Sequence, residues 1–228
     1  MQIEVHHRPS YALAEVKLDT GETVVAEGGA MVSMDTHISI ETSAAKEGEG
    51  KLKGLMKGLK RMAAGESFFQ NRYTAVGAPG HVTFAPTHCG DVVVQELAQS
   101  TVFLQSTAFL ASGTEITVDA KWGGAKTFFG GEGLVMLKAT GSGPLIFNSF
   151  GGIKEVFVDG EFIVDTGHIV AFDDSINFTV NKFGGGWKSF IFGGEGLVCT
   201  FSGKGRLWLQ TRNATGFGQE IGSKLPPR

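Results

Sequence analysis

The heptapeptide Phe-Gly-Gly-Glu-Gly-Leu-Val occurs twice, at Phe129–Val135 and Phe192–Val198, 63 positions apart. A chain that repeats itself builds its core from like units, and this restricts the fold more than any composition figure does. A longer and weaker repeat surrounds the motif. Residues Ala30–Ile40 align without gaps on Ala108–Val118, 78 positions on, and on His168–Phe178, a further 60 positions on. Val32, Leu110 and Val170 correspond. So do Ile38, Ile116 and Ile176, and then Ile40, Val118 and Phe178.

Every copy has the same local grammar. An apolar alternation runs into a polar tripeptide (Asp35-Thr36-His37, Gly113-Thr114-Glu115 or Asp173-Asp174-Ser175), and a second alternation follows. Side chains alternate faces along a strand, so the pattern reads as a half-buried hairpin. A glycine turn then precedes a short strand at Gly80–Phe84, Gly143–Phe147 and Gly205–Leu209. Short strands with regular turn signals predict an all-β chain of sandwich or barrel type. The expected organisation is three tandem β-sandwich modules over residues 1–96, 97–158 and 159–213, with a C-terminal tail at 214–228. A pseudo-threefold packing of the modules would bring equivalent positions together.

One stretch departs from this grammar. The first copy is about 18 residues longer than the second between Ile40 and Phe68, which predicts one short helical insertion in the first module at 44–65. Leu52, Leu55, Met56, Leu59 and Ala63 fall on one helical face. Lys53, Lys57, Lys60 and Arg61 fall on the other. Residues 51–61 hold five of the chain's 20 basic residues and no acid. Gly54 and Gly58 weaken the helix by about 1 kcal/mol each. Three roles fit: a cap on an open end of the β core with solvated lysines, an interfacial helix on an anionic membrane, or a partner-binding helix.

Composition narrows the function. With 42% hydrophobic residues the chain can build a core, and a net charge of −3 argues against a general nucleic-acid binder. Cys89 and Cys199 make no disulfide framework. The N-terminus shows no apolar secretory region, and no apolar run is long enough to span a bilayer. A cytoplasmic protein is expected, peripheral at the inner face of the membrane if the insertion acts there.

Chemical motifs are sparse. Gly193-Gly194-Glu195-Gly196 and Gly184-Gly185-Gly186 lie between β alternations with no helix following, so they read as turns and not phosphate cradles. No histidine spacing suits a metal, and no nucleophile elbow is present. His168 sits at an inward-reading position and is expected to be a satisfied, partly buried side chain. Glu132 and Glu195 are equivalent in the heptapeptide repeat, and Asn71 is read as their counterpart in the first copy. These three are the candidate ligand-binding residues for a cleft between modules, against the plainer reading that they decorate turns. Trp208 follows the strand alternation and reads as packing.

The doubled heptapeptide, the Gly-Glu-Ser-Phe-Phe segment at Gly65–Phe69 and the glycine- and lysine-rich insertion resemble bacterial relatives of a mitochondrial biogenesis family, named after altered inheritance of mitochondria protein twenty-four. The similarity runs over roughly Met1–Asn213. The resemblance implies three modules similar to the tryptophan RNA-binding attenuation protein, a shortened double-stranded β-helix. It implies no known enzyme activity, and the mitochondrial members look like factors for inner-membrane organisation. RNA binding is not carried over, because fold does not fix function and the strand-borne repeat positions here are mostly apolar or acidic.

The expected function is therefore a non-enzymatic scaffold or interaction protein, peripheral to membranes through Leu52, Leu55, Met56, Leu59, Lys53, Lys57, Lys60 and Arg61. The alternative is a small-ligand binding protein with a site between modules. No cofactor, metal or nucleic acid is expected. The partner is an anionic membrane surface or a protein. Both a homo-oligomer through outer strand edges and a monomer remain open.

Overall fold

A computed structural model describes residues 1–43, 70–119, 128–129, 134–182 and 197–226. These form sixteen strands, two single-turn 3₁₀ segments and one short α-helix. The strands recur in three groups. The first holds β1 (Gln2–His6), β2 (Leu13–Leu18), β3 (Thr23–Glu27), β4 (Met31–Met34), β5 (Ile38–Ser43), β6 (Gln70–Ala75) and β7 (Gly80–Phe84). The second holds β8 (Val92–Gln105), β9 (Phe109–Gly113), β10 (Ile116–Asp119), β11 (Phe128–Phe129) and β12 (Leu134–Asn148). The third holds β13 (Ile153–Asp165), β14 (Ile169–Asp173), β15 (Ile176–Lys182) and β16 (Leu197–Gln210).

The pairing explains the grouping. In the second unit β8 runs antiparallel to β12 from Met136↔Gln105 to Asn148↔Val92. In the third, β13 runs along β16 from Ile153↔Gln210 to Asp165↔Val198. The first unit makes the same ribbon in two pieces, β2 with β7 and β3 with β6, because loops at 19–22 and 76–79 break both strands. The hairpin between the ribbon strands folds back the same way each time. Its first strand pairs with the end of the ribbon's second strand, and its second strand with the beginning.

A bulge marks each fold-back. Met31 and Ser33 pair with neighbouring residues, as do Phe109 and Ala111, and Ile169 and Ala171, so Val32, Leu110 and Val170 are the extra residues. The long ribbons bend where glycine permits positive φ, at Gly141 (+145°) and Gly143 (+110°) in one and Gly160 (+108°) and Gly203 (+119°) in the other. At Gly141 an added Cβ would lie 2.0 Å from the Glu115 carbonyl oxygen, so no larger residue fits.

Two junctions join the units. β3 pairs with β9 through Val24↔Gly113, Val25↔Ser112 and Ala26↔Ala111. β8 pairs with β14 through Leu104↔Ala171, Phe103↔Phe172 and Val102↔Asp173. The junction strands complete their neighbours' cores. Leu110 and Ala111 pack into the first core around Val24, Tyr73 and Phe84. Val170, Ala171 and Trp208 pack into the second around Leu104, Phe109 and Phe147. The result is a twelve-stranded sheet and a separate four-stranded sheet, β1-β2-β7-β4, with no closure into a barrel.

The expected C-terminal tail contains helix α1 (Ala214–Gly222), capped by Asn213, whose side chain accepts from the Gly216 N–H at 3.1 Å. Gly216, Gly218 and Gly222 lower its helical propensity, so the cap alone signals it. The expected insertion at 44–65 lies outside the described residues.

Candidate functional site

Leu52, Leu55, Met56, Leu59, Lys53, Lys57, Lys60 and Arg61 lie outside the described residues, as do Glu132 and Glu195. Asn71 sits on β6 between Ala26 and Thr42, and its Nδ2 donates to the Tyr73 hydroxyl at 3.5 Å. The Asn71↔Ala26 pair has as its counterparts Leu137↔Leu104 and Cys199↔Val164. Asn71 thus shares its place with Leu137 and Cys199, which corrects the expected equivalence with Glu132 and Glu195. The figure of about 18 extra residues took Phe68-Phe69 and Phe128-Phe129 as a common landmark. Strand register replaces it: Ile38 pairs with Ala75, and Ile116 with Gly141. The first unit's connection therefore spans 37 positions against 25, an excess of 12 and not about 18.

The ends of β12 and β16 build a polar corner. Asn148 Nδ2 donates to the Thr107 carbonyl at 3.3 Å, and Gln210 Nε2 donates to the Gly167 carbonyl at 2.9 Å. Both acceptors are the middle residues of 3₁₀ turns, Ser106–Ala108 and Thr166–His168. Ala85 stands at the corresponding place in the first unit and has no side-chain amide to offer. Between the two turns lies a cavity of about 40 Å³ lined by Gln105, Asn148, Phe150, Gln210 and Asn213 among others. Among the described residues, Gln105 Oε1 and Asn148 Oδ1 are buried there without a donor. Orphan acceptors call for hydrogen-bond donors, and this volume admits a few waters. His168 Nδ1 donates to the Gln210 carbonyl at 2.7 Å, the satisfied state expected for it. Trp208 is packed edge-on against Phe147 at 5.5 Å, also as expected.

Reactive groups are few among the described residues. No cluster of three or more His, Cys, Asp or Glu could hold a metal. Burial pushes the Cys199 thiol up to about 12, which keeps it from acting as a thiolate. No helix among the described residues is long and apolar enough to cross a membrane.

The strongest exposed feature is a pair of strand edges. Leu110 and Val170 are fully buried, yet their counterpart Val32 is 57% exposed. Val25 is 8% exposed, and its counterpart Ile163 is 63% exposed. Met34 and Phe162 are exposed too, where Ser112, Phe172, Val24 and Val102 are buried. The cause is topological: among the described residues β4 has only β7 beside it, and the 161–165 stretch of β13 has only β16. The sequence reading named outer edges as available without naming residues. The alignment matches these residues to buried partners, and only the structure shows them exposed.

The β4 edge is nonetheless held in the same pose as its counterpart. Asp35 Oδ2 accepts from the His81 N–H at 2.8 Å and faces His81 Nδ1 at 3.3 Å. These bonds, the backbone one foremost, keep its carboxyl below the ordinary range. Asp173 does the same in the third unit, accepting from the Arg206 N–H at 2.9 Å and from Arg206 Nε and Nη2 at 3.0 Å. Arg206 also donates to Gln95 Oε1 at 2.8 Å and lies 4.8 Å over the Trp208 ring.

Comparisons with known proteins agree with this architecture. A family model described as mitochondrial biogenesis AIM24 matches residues 3–212. An uncharacterised protein of Streptococcus pyogenes serotype M6 is 30% identical over 231 residues, covering 99% of this chain and 92% of that protein. A crystal structure of a Streptococcus pyogenes protein covers 98% of this chain and 99% of its own, with a TM-score of 0.80 and 28% identity.

Proposed function

The chain belongs to the mitochondrial biogenesis AIM24 family, and from that premise we propose that it is a non-enzymatic scaffold or interaction protein that works through its surfaces. The carrying observation is that Val32 and Ile163 are exposed, whereas Leu110 and Val170, which match Val32, and Val25, which matches Ile163, are buried. An unpaired strand edge of this kind is a template for pairing with another chain. The cavity near Asn148 supports the second reading, a ligand between units, only for a guest of water size, since ligand pockets usually run to several hundred Å³.

The finer reading is attachment to an anionic membrane at the cytoplasmic face through the basic amphipathic stretch. Leu52, Leu55, Met56 and Leu59 would enter the interface, and Lys53, Lys57, Lys60 and Arg61 would meet lipid charge. Each cation near the surface contributes about 1 kcal/mol, so attachment would be reversible and salt-sensitive. The full chain is expected to co-sediment with phosphatidylglycerol-containing vesicles at low salt and to be released at high salt. Removing residues 51–62 is expected to abolish this. Intact protein that stays in the supernatant with anionic vesicles refutes the membrane reading.

A further inference from the structure

We propose that the two open edges are halves of one junction made between copies of this chain: β13 of one copy pairs with β4 of the next. The inference rests on the scaffold reading and names its partner, a second copy.

The two junctions inside the chain supply the rule. Each joins the later part of a ribbon's first strand to the fold-back strand of the following unit, centred on Val25↔Ser112 and Phe103↔Phe172. The 78- and 60-residue spacings carry this register to the third unit and back to the first. Ile163 then faces Met34, with Phe162 opposite Asp35 and Val164 opposite Ser33. In the formed junctions the bulged residue reaches the neighbouring core: Leu110 enters the first and Val170 the second. The third core, around Val158, Phe172, Phe201 and Leu207, receives Met136 from the second unit and, among the described residues, no buried residue from the first. Val32 is the bulged residue left over, and it is exposed. Within one chain β4 and β13 do not pair.

Both edges therefore keep the apolar side chains and backbone pose of a junction without forming one. Pairing with another copy restores the buried environment on each side. The contact is heterologous, so it closes when two copies exchange both edges, or in a larger ring, leaving neither edge open.

The full chain is expected to sediment as two copies or more, against 24.2 kDa for one. Ile163→Lys and Val32→Lys change exposed side chains, so the fold survives, as an unchanged circular dichroism spectrum would verify. Each is expected to reduce the mass to a single chain. Register is tested with Met34→Cys and Ile163→Cys chains, each carrying Cys89→Ser to remove the exposed thiol. A disulfide-linked pair is expected when the two are mixed and oxidised, and not from either alone. A wild-type mass of one chain at every concentration overturns the proposal. So does a link formed by either single variant alone, which would mean that an edge meets itself. A Met34→Cys/Ile163→Cys double variant that links within one chain overturns it as well. Vesicle binding is read separately from mass, so a failure here leaves the membrane reading standing, and the converse holds.

Discussion

Replacing Glu27 with glutamine is expected to stabilise the fold above neutral pH and to leave it unchanged near pH 4.5. Glu27 ends β3, half-buried, and burial alone pushes its carboxyl up to about 7 from an ordinary 4.5. The folded protein thus holds the proton more tightly than the unfolded chain does. Below pH 4.5 both states are protonated and nothing is lost. As pH rises from 4.5 to 7 the unfolded chain ionises first, so stability falls, and above 7 the loss is complete. At about 1.36 kcal/mol per tenfold change in proton affinity the ceiling is about 3 kcal/mol. Partial contact with water reduces this to about 1–2 kcal/mol. Glutamine mimics the protonated acid and carries no such penalty. Urea denaturation of both proteins at pH 5 and pH 8 checks this, with the difference between the two pH values cancelling every other titrating group. Equal differences at both pH values would refute the assignment of a buried, poorly solvated carboxyl to Glu27.

Two more perturbations test the packing. Arg8 donates from Nε and Nη2 to the Asp91 carboxylate at 2.7 and 2.9 Å, and that side chain is buried. Arg8→Ala is expected to cost about 3 kcal/mol, because it leaves a buried charge with the Val92 N–H as its one remaining donor among the described residues, and Arg8→Ala with Asp91→Asn to recover part of it in urea denaturation. At the bend of β12, Gly141→Ala is expected to cost about 3 kcal/mol or more through collision with the Glu115 carbonyl. Gly143→Ala, whose added Cβ meets open space, is expected to cost about 1 kcal/mol through its positive φ alone. Melting temperatures in the opposite order would contradict the described bend.

Legibility followed the range of the interaction. The 78- and 60-residue spacings found the fold-back strands because bulge and burial are imposed locally: Val32, Leu110 and Val170 are all bulged, and Ile38, Ile116 and Ile176 are all buried. The heptapeptide was a poorer ruler. Its copies are 63 apart, whereas Gly141 matches Gly203 and Asn148 matches Gln210 at 62. Identity in a glycine turn does not fix the register of the strand that follows, and Asn71 was misplaced for a similar reason. The corner at Asn148 and Gln210 was illegible because its amides meet turns some 40 positions away. Exposure of Val32 was illegible because alternation tells a residue which face it occupies, and says nothing about which strand lies beside it.

A tandem of units joined edge to edge makes one junction fewer than it has units. Three units leave one donor edge and one acceptor edge, whatever the sequence. Proteins usually blunt such edges with charge, proline or a covering strand. This chain covers an edge where it can: β1 lies along β2 from Gln2↔Lys17 to His6↔Leu13, and His6 bonds Glu15 at 2.9 Å on that strand. The β4 edge and the later half of β13 are covered by no strand among the described residues, and the charges of β13 there, Glu161 and Asp165, flank the apolar run and do not interrupt it. Their pairing positions are Ser33, Met34 and Asp35 on one side and Phe162, Ile163 and Val164 on the other. The only charge among them, Asp35, is already held by His81. A chain that protects one outer edge and keeps another apolar has retained a surface fit for a partner strand, and the edge that matches it by register is carried on the same polypeptide.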